Sequence, residues 1–237
     1  MPKANEFGQL IGDSLPEGWN IPSAPPKEAL MGHYVKVEPL EVRRHAADLF
    51  SSNQLDRAGE GWTYLGYGPF KSLLDYTQWL ETNCVGNDPM FWAYLDGKTG
   101  VAVGLGAYLR VNVNDATIEV GHLRFSPKMQ RTRIATEAMY LKMKLAFDLG
   151  YRRYEWKCDS LNLPSRKAAE RLGFKFEGVF RQATHYRGRN RDTAWFSIID
   201  KEWSTIRAAY EAWLKPSNFD ELERQKKRLC DFQTIKQ

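Results

Sequence analysis

The sequence is poor in cysteine: Cys84, Cys158 and Cys230 are its only three. They form no CxxC pair, and an odd, scattered set excludes a disulfide framework or a zinc ribbon. They read as reduced thiols of a cytoplasmic protein. No apolar run approaches the ~18–20 residues of a membrane span; the longest, 101–109, is interrupted by Gly104 and Gly106. The opening MPKANEFGQL lacks the apolar core of a signal peptide. The histidines at 33, 45, 122 and 185 show neither HExxH nor paired ligand spacing, and GxSxG is absent. A metal centre and a serine hydrolase are therefore not expected. Gly104-Leu105-Gly106 lies in a strand pattern, with Leu109 where a dinucleotide fingerprint needs glycine.

What is present is a globular composition, 43% hydrophobic and 27% charged over 237 residues. That length can bury a substantial core without covalent staples. The net charge is +5, but it is concentrated. Between Arg124 and Arg153 eight Lys/Arg face Glu137 and Asp148 alone, and between Arg166 and Arg191 eight face Glu170 and Glu177. Such stretches read either as a solvated basic face or as a surface for an anionic partner. Aromatics interleave with arginines in FRQATHYRGRNR (180–191), yet no nucleic-acid module signature accompanies them, so no nucleic-acid partner is expected.

The pattern predicts one domain with two appendages. Five of the eleven prolines fall within the first 26 residues, so 1–31 reads as an extended arm that docks through Phe7 and Trp19. Strands are expected at 34–38, 90–95, 101–111, 117–125, 154–158, 174–181 and 192–199. Helices are expected at 41–51, 70–82 and 163–172, the last closed by Gly173. Ile134, Ala138, Leu141, Leu145 and Leu149 share one helical face, which places a long amphipathic helix at 134–149. The main body spans 32–203, and 204–237 reads as a helical extension. Alternating strands and helices imply a mixed α/β fold with at least one parallel crossover.

One constellation is specific. The strand IEVGHLRF (118–125) runs into the loop SPKMQRTR (126–133), which opens the amphipathic helix. Backbone N–H groups at a helix amino terminus are unpaired and favour an anion, and Arg131 and Arg133 add two guanidinium forks. After the next strand comes NLPSRKAAERLGF (162–174). Asn162 there also suits a helix N-cap ahead of Pro164, and Ser165 a plain first-turn position.

With E-V-G-H-L-R-F (119–125), Q-R-T-R-I-A-T-E-A (130–138), N-x-x-S-x-x-x-x-E-x-x-G-F (162–174) and E-G-V-F-R (177–181), residues 33–203 resemble the GNAT-fold N-acetyltransferases. Within that family they most resemble the branch of the ribosomal-protein N-terminal acetyltransferases. The resemblance implies a mixed, mostly antiparallel sheet splayed between two adjacent strands and flanked by helices. It implies acetyl-coenzyme A as donor and a primary amine, a protein amino terminus or a small molecule, as acceptor, in a monomer or homodimer with no membrane role. Backbone groups near Leu123 and Phe125 would face the cofactor, with the Leu123 N–H as oxyanion donor. Gln130, Arg131, Thr132, Arg133, Ile134, Ala135 and Thr136 would hold the pyrophosphate. Arg133 stands where the family pattern has its first glycine, a position at which a side chain resists positive φ. Asn162 would bond the pantetheine chain, Ser165 would serve the departing thiolate, and Glu119 would draw the amine proton. Trp62 and Tyr64 either line the acceptor pocket or pack a loop, and Cys158 reads as a small buried hydrophobe. The competing reading is a non-catalytic coenzyme A-binding or interaction domain whose loop has degenerated at Arg133.

Overall fold

The computed structural model describes residues 3–233. A short hairpin, β1 (Lys3–Ala4) and β2 (Leu10–Ile11), opens the arm. Its side chains are exposed, Phe7 and Leu10 included. The arm is anchored further along. The Ser23 carbonyl accepts from the Tyr151 hydroxyl, the Gly86 carbonyl accepts from Lys27 Nζ, and β3 (Leu30–Met31) pairs with β4 (Val35–Pro39). Phe7 takes no part in that anchoring, whereas Trp19 is half-buried.

After β4 come α1 (Val42–Asn53), a 3-10 turn (Glu60–Trp62), α2 (Leu73–Asn83), β5 (Met90–Asp96), β6 (Ala102–Asn112) and β7 (Thr117–Phe125). Then follow α3 (Arg133–Asp148), β8 (Arg153–Asp159), α4 (Leu163–Arg171), β9 (Lys175–Tyr186), β10 (Arg189–Ile199) and α5 (Asp200–Trp213). Eight strands form one sheet in the order β3-β4-β5-β6-β7-β8-β10-β9, antiparallel except for β7 and β8. The α3 crossover joins that parallel pair, as the topology requires. The apolar faces of α1 and α2 (Val42, Ala46, Leu49, Tyr76, Leu80) cover Phe91, Ala93, Leu105 and Ala107 on one side of the sheet. On the other side α3, α4 and α5 bury Trp92, Tyr108, Ile118, Val120, Tyr154 and Phe196. The expected mixed α/β architecture is therefore observed.

Element boundaries differ from the sequence expectation where local hydrogen bonds decide. Ser72 Oγ accepts from the Asp75 N–H and starts α2 three residues later than the apolar pattern suggests. The strands β9 and β10 extend to a two-residue turn at Arg187 and Gly188, both at positive φ, instead of ending near 181 and 192. The tail beyond α5 is not helical as expected: through residue 233 it contains only two 3-10 turns, Pro216–Asn218 and Leu229–Asp231. Asn218 organises it, donating from Nδ2 to the Trp213 carbonyl and accepting the Lys227 N–H on Oδ1. Residues 234–237 of the expected helical extension lie outside the described residues.

Candidate active site

The parallel partners β7 and β8 stay together for only four pairs, Thr117↔Arg153 to Val120↔Trp156. Beyond them Lys157, Cys158 and Asp159 pair with β10 alone, and β7 continues beside β6 alone. A cleft opens between the two strands. At its apex the β6–β7 register steps from Ala107↔Gly121 to Leu105↔Arg124, so His122 and Leu123 are skipped on both sides. This is a β-bulge, with His122 at φ 51°. Gly106 makes it possible: a Cβ there would come within 2.3 Å of the Tyr94 hydroxyl and 2.7 Å of Leu123 Cδ2.

The cleft is the floor of a cavity of about 1180 Å³. Loop residues 59–70 and the β9–β10 hairpin roof it. The two halves of the roof are tied by Arg187, whose guanidinium donates to the carbonyls of Leu65 and Tyr67 (both 2.9 Å) and to that of Gly68. Tyr64 lines the cavity and donates its hydroxyl to the Leu161 carbonyl at 3.0 Å.

Polar groups concentrate around the apex. Glu119 is 3% exposed, and its Oε2 accepts from Arg110 Nη1 (2.7 Å) and Lys157 Nζ (2.9 Å). Oε1 forms no ion pair among the described residues. Lys157 also pairs with Glu155 at 2.8 Å and lies 3.6 Å from the Trp195 ring. His122 lines the cavity, stacks on Tyr67, and bonds the Tyr67 hydroxyl through Nδ1 at 3.2 Å. Burial, reinforced by the Arg110 and Arg191 guanidinium groups, holds its imidazole below the ordinary histidine range. His122 therefore presents a neutral ring with Nε2 unbonded among the described residues.

On the β8 side Ser165 Oγ accepts from Trp156 Nε1 at 3.0 Å, and its own proton can be donated, with the Cys158 sulfur beside it. Burial pushes the neighbouring Cys158 thiol up, partly offset by the Ser165 hydroxyl, so Cys158 is not an activated nucleophile. Asn162 caps α4, its Oδ1 accepting the Ser165 N–H at 3.1 Å, and it also borders the cavity.

At the start of α3 the amides of Arg133, Ile134 and Ala135 find no acceptor among the described residues. Arg131, exposed and without an acidic partner, stands beside them on the cavity edge. Such a cluster of donors suits the pyrophosphate of a coenzyme A ester. Other members of the expected loop are engaged elsewhere. Gln130 Nε2 donates to the Phe125 carbonyl, Thr132 Oγ1 donates to the Met129 carbonyl, and Thr136 Oγ1 accepts from Arg171. Ala135 is core.

Several expected residues lie elsewhere than the resemblance implied. Arg133 is an ordinary helical residue; the positive φ in this loop falls on Arg131, at 60°. The Arg133 guanidinium turns away from the cavity, 4.1 Å from the Tyr34 ring and 2.6 Å from Glu223 Oε1. Phe125 is off the cavity, its carbonyl taken by Arg124 Nη1 and Gln130 Nε2. Trp62 is 4% exposed beneath the Arg124 guanidinium at 4.4 Å, so it supports the roof without lining it. Three lining residues, His122, Arg181 and Arg191, were not singled out as site residues in the sequence. A turn signal in Y-R-G-R at 186–189 would have brought the last two to the cavity.

The fold matches that of known proteins. The chain is similar to a GCN5-related N-acetyltransferase from Brucella melitensis, at 41% identity and a TM-score of 0.89 over 92% of this chain and 100% of that one. A protein from Vibrio cholerae described as a ribosomal-protein-serine acetyltransferase shares the fold at 21% identity, with a TM-score of 0.61 over 74% of this chain and 99% of that one. So does the microcin C7 self-immunity acetyltransferase MccE, whose structure holds acetyl-CoA and AMP, at 18% identity and a TM-score of 0.62 over 71% and 93%. No curated protein matches the chain. The family model of the acetyltransferase (GNAT) domain matches residues 36–175, and the chain belongs to the GNAT acetyltransferase family.

Proposed function

We propose that this chain transfers an acetyl group from acetyl-coenzyme A to a primary amine by direct attack in a ternary complex. The observation that carries this reading is the cleft itself. A break in strand register at His122 and Leu123 shares the cleft with a helix terminus whose first three amides are unpaired among the described residues and with the Ser165 hydroxyl.

The α3 amides and Arg131 would hold the diphosphate, and Asn162 would border the pantetheine arm. Acetyl-coenzyme A, when bound, supplies a thioester carbonyl, at which a C–N bond forms as the C–S bond breaks. The Leu123 N–H, at the register step, faces the developing oxyanion. The amine proton passes to His122 Nε2, a neutral base oriented by Tyr67. Glu119 Oε1 is the other candidate base in the cleft. The Ser165 hydroxyl donates to the departing sulfur and is reprotonated from solvent. Cys158 has no role, because a buried thiol of raised pKa does not form an acetyl-enzyme. The cavity accommodates both a pantetheine arm and an acceptor, whether a short peptide terminus or a small amine.

Steady-state assay of coenzyme A release against a panel of amines and short peptides tests the reading. Intersecting double-reciprocal lines are expected; parallel lines would indicate a covalent acetyl-enzyme instead. Binding of coenzyme A without turnover of any amine would favour the non-catalytic reading.

A further inference from the structure

Two arginines of the β9–β10 hairpin line the cavity; the Asp192 charge reaches Arg181, whereas no carboxylate is paired with Arg191 among the described residues. Arg191, half-buried on β10, and Arg181, exposed on β9, form no ion pair among the described residues. The nearby Asp159 is committed to the Tyr186 hydroxyl (2.8 Å) and the Leu161 N–H (2.9 Å). Arg191 Nε is fully buried and makes no hydrogen bond, and the same is true of Trp195 Nε1 two turns of the pleat along the same strand. Arg187, at the tip of this hairpin, spends its donors on three carbonyls, so the lack of partners is not general to the hairpin. Burying a guanidinium donor with nothing to bond is costly, and a bound ligand that supplies an oxyanion removes the cost.

Arg191 also lines the same cavity as His122, Cys158 and Ser165. Its charge is felt by His122 on β7 and by Cys158 on β8, the two strands that flank the cleft. Acetyl-pantetheine, the part of the cofactor that reaches this cleft, carries no charge, and the phosphates belong at the α3 terminus more simply served by Arg131. The missing anion must then come from the acceptor.

We propose that the acceptor amine carries a carboxylate or phosphate, held by Arg191 with Arg181 at the outer edge of the same site. This rests on the acetyltransferase reading above and narrows its substrate class. A planar fork binds either oxyanion through two parallel hydrogen bonds, which fixes the amine relative to His122 as well as binding it.

The test uses amine pairs matched in size: β-alanine with β-alaninamide for the carboxylate, phosphoethanolamine with ethanolamine for the phosphate. The wild-type protein should favour the charged member of at least one pair by roughly ten- to a hundredfold in kcat/KM, the value of one charge-assisted contact. The pair that shows the preference identifies the anion. Arg191→Gln should abolish that preference through KM, Arg191→Lys should keep part of it, and neither should alter acetyl-coenzyme A affinity by calorimetry. Thermal shift in the presence of coenzyme A gives the same comparison without turnover. Wild-type protein that shows no preference in rate or in thermal shift, or Arg191→Gln that keeps the preference, would overturn the proposal. Loss of acetyl-coenzyme A binding in the wild type would instead overturn the acetyltransferase reading on which it rests.

Discussion

Arg133 on the first turn of α3 reaches Glu223 in the tail, Nη2 to Oε1 at 2.6 Å, while its guanidinium covers the Tyr34 ring. The same tail segment places Phe219 5.4 Å from that guanidinium and brings Lys98 Nζ to Glu223. The residue that departs from the family's loop pattern is thus a clasp for the C-terminal segment. Arg133→Ala should lower the unfolding free energy by about 0.5–2 kcal/mol for the stacked cation and a few tenths more for a half-exposed ion pair, read by chemical denaturation. Acetyl-coenzyme A affinity, measured by calorimetry, should stay near wild type. A large loss of affinity with unchanged stability would mean that the guanidinium serves the phosphates after all.

The two candidate bases are separable by pH. Because burial and two neighbouring cations lower the His122 pKa, the ring is in its basic form at neutral pH, and activity should fall only as pH drops through that depressed value. His122→Asn should lower kcat by ~10²–10⁴-fold, as removal of a general base does, and the enzyme's acid limb should vanish with it. Glu119→Gln weakens the contacts of Arg110 and Lys157 and should shift KM more than the limb. If Glu119→Gln removes the limb while His122→Asn keeps it, the assignment is reversed.

Ser165 and Asn162 are coupled through the start of α4. Ser165→Ala should reduce kcat with little change in cofactor affinity, since the N-cap survives. Asn162→Ala should destabilise the fold by about 0.5–2 kcal/mol through loss of that cap and weaken cofactor binding together with it. Chemical denaturation alongside initial rates distinguishes the two patterns.

Lys142 is buried outside the cavity lining, its Nζ 3.3 Å from the Trp92 ring and 3.4 Å from the Tyr108 ring, with no hydrogen-bond partner among the described residues. Burial lowers its pKa well below the ordinary lysine value. The unfolded chain therefore binds a proton that the folded chain lacks, and stability rises with pH toward the unfolded value of about 10.4. Lys142→Met should stabilise the protein at neutral pH by roughly 1–3 kcal/mol, the usual range for an unsatisfied buried polar group. The gain over wild type should shrink as pH rises; a gain that grows toward alkaline pH would contradict the argument.

The legible parts of this fold are those in which apolar spacing and local motifs act alone. The face of Ile134, Ala138, Leu141 and Leu145 located α3 within a residue, and the alternation through Ile118 and Val120 located β7. Residues whose roles depend on distant partners were not legible. Arg133 and Glu223 are ninety positions apart, and nothing in Q-R-T-R-I-A says which of its two arginines will turn outward. The hairpin at 182–191 is almost wholly polar and exposed, so no hydrophobic alternation marks it. Trp62 was ambiguous because an aromatic loop residue serves equally as pocket wall or as support, and only the Arg124 stack decides it.

The central claim is that the β7–β8 cleft binds acetyl-coenzyme A. Isothermal titration of the wild-type protein with acetyl-coenzyme A tests it most directly. The account predicts saturable one-to-one binding that weakens with added salt, as Arg131 and the α3 terminus are screened from the phosphates. An absence of binding heat, with no rise in melting temperature up to millimolar ligand, would contradict it.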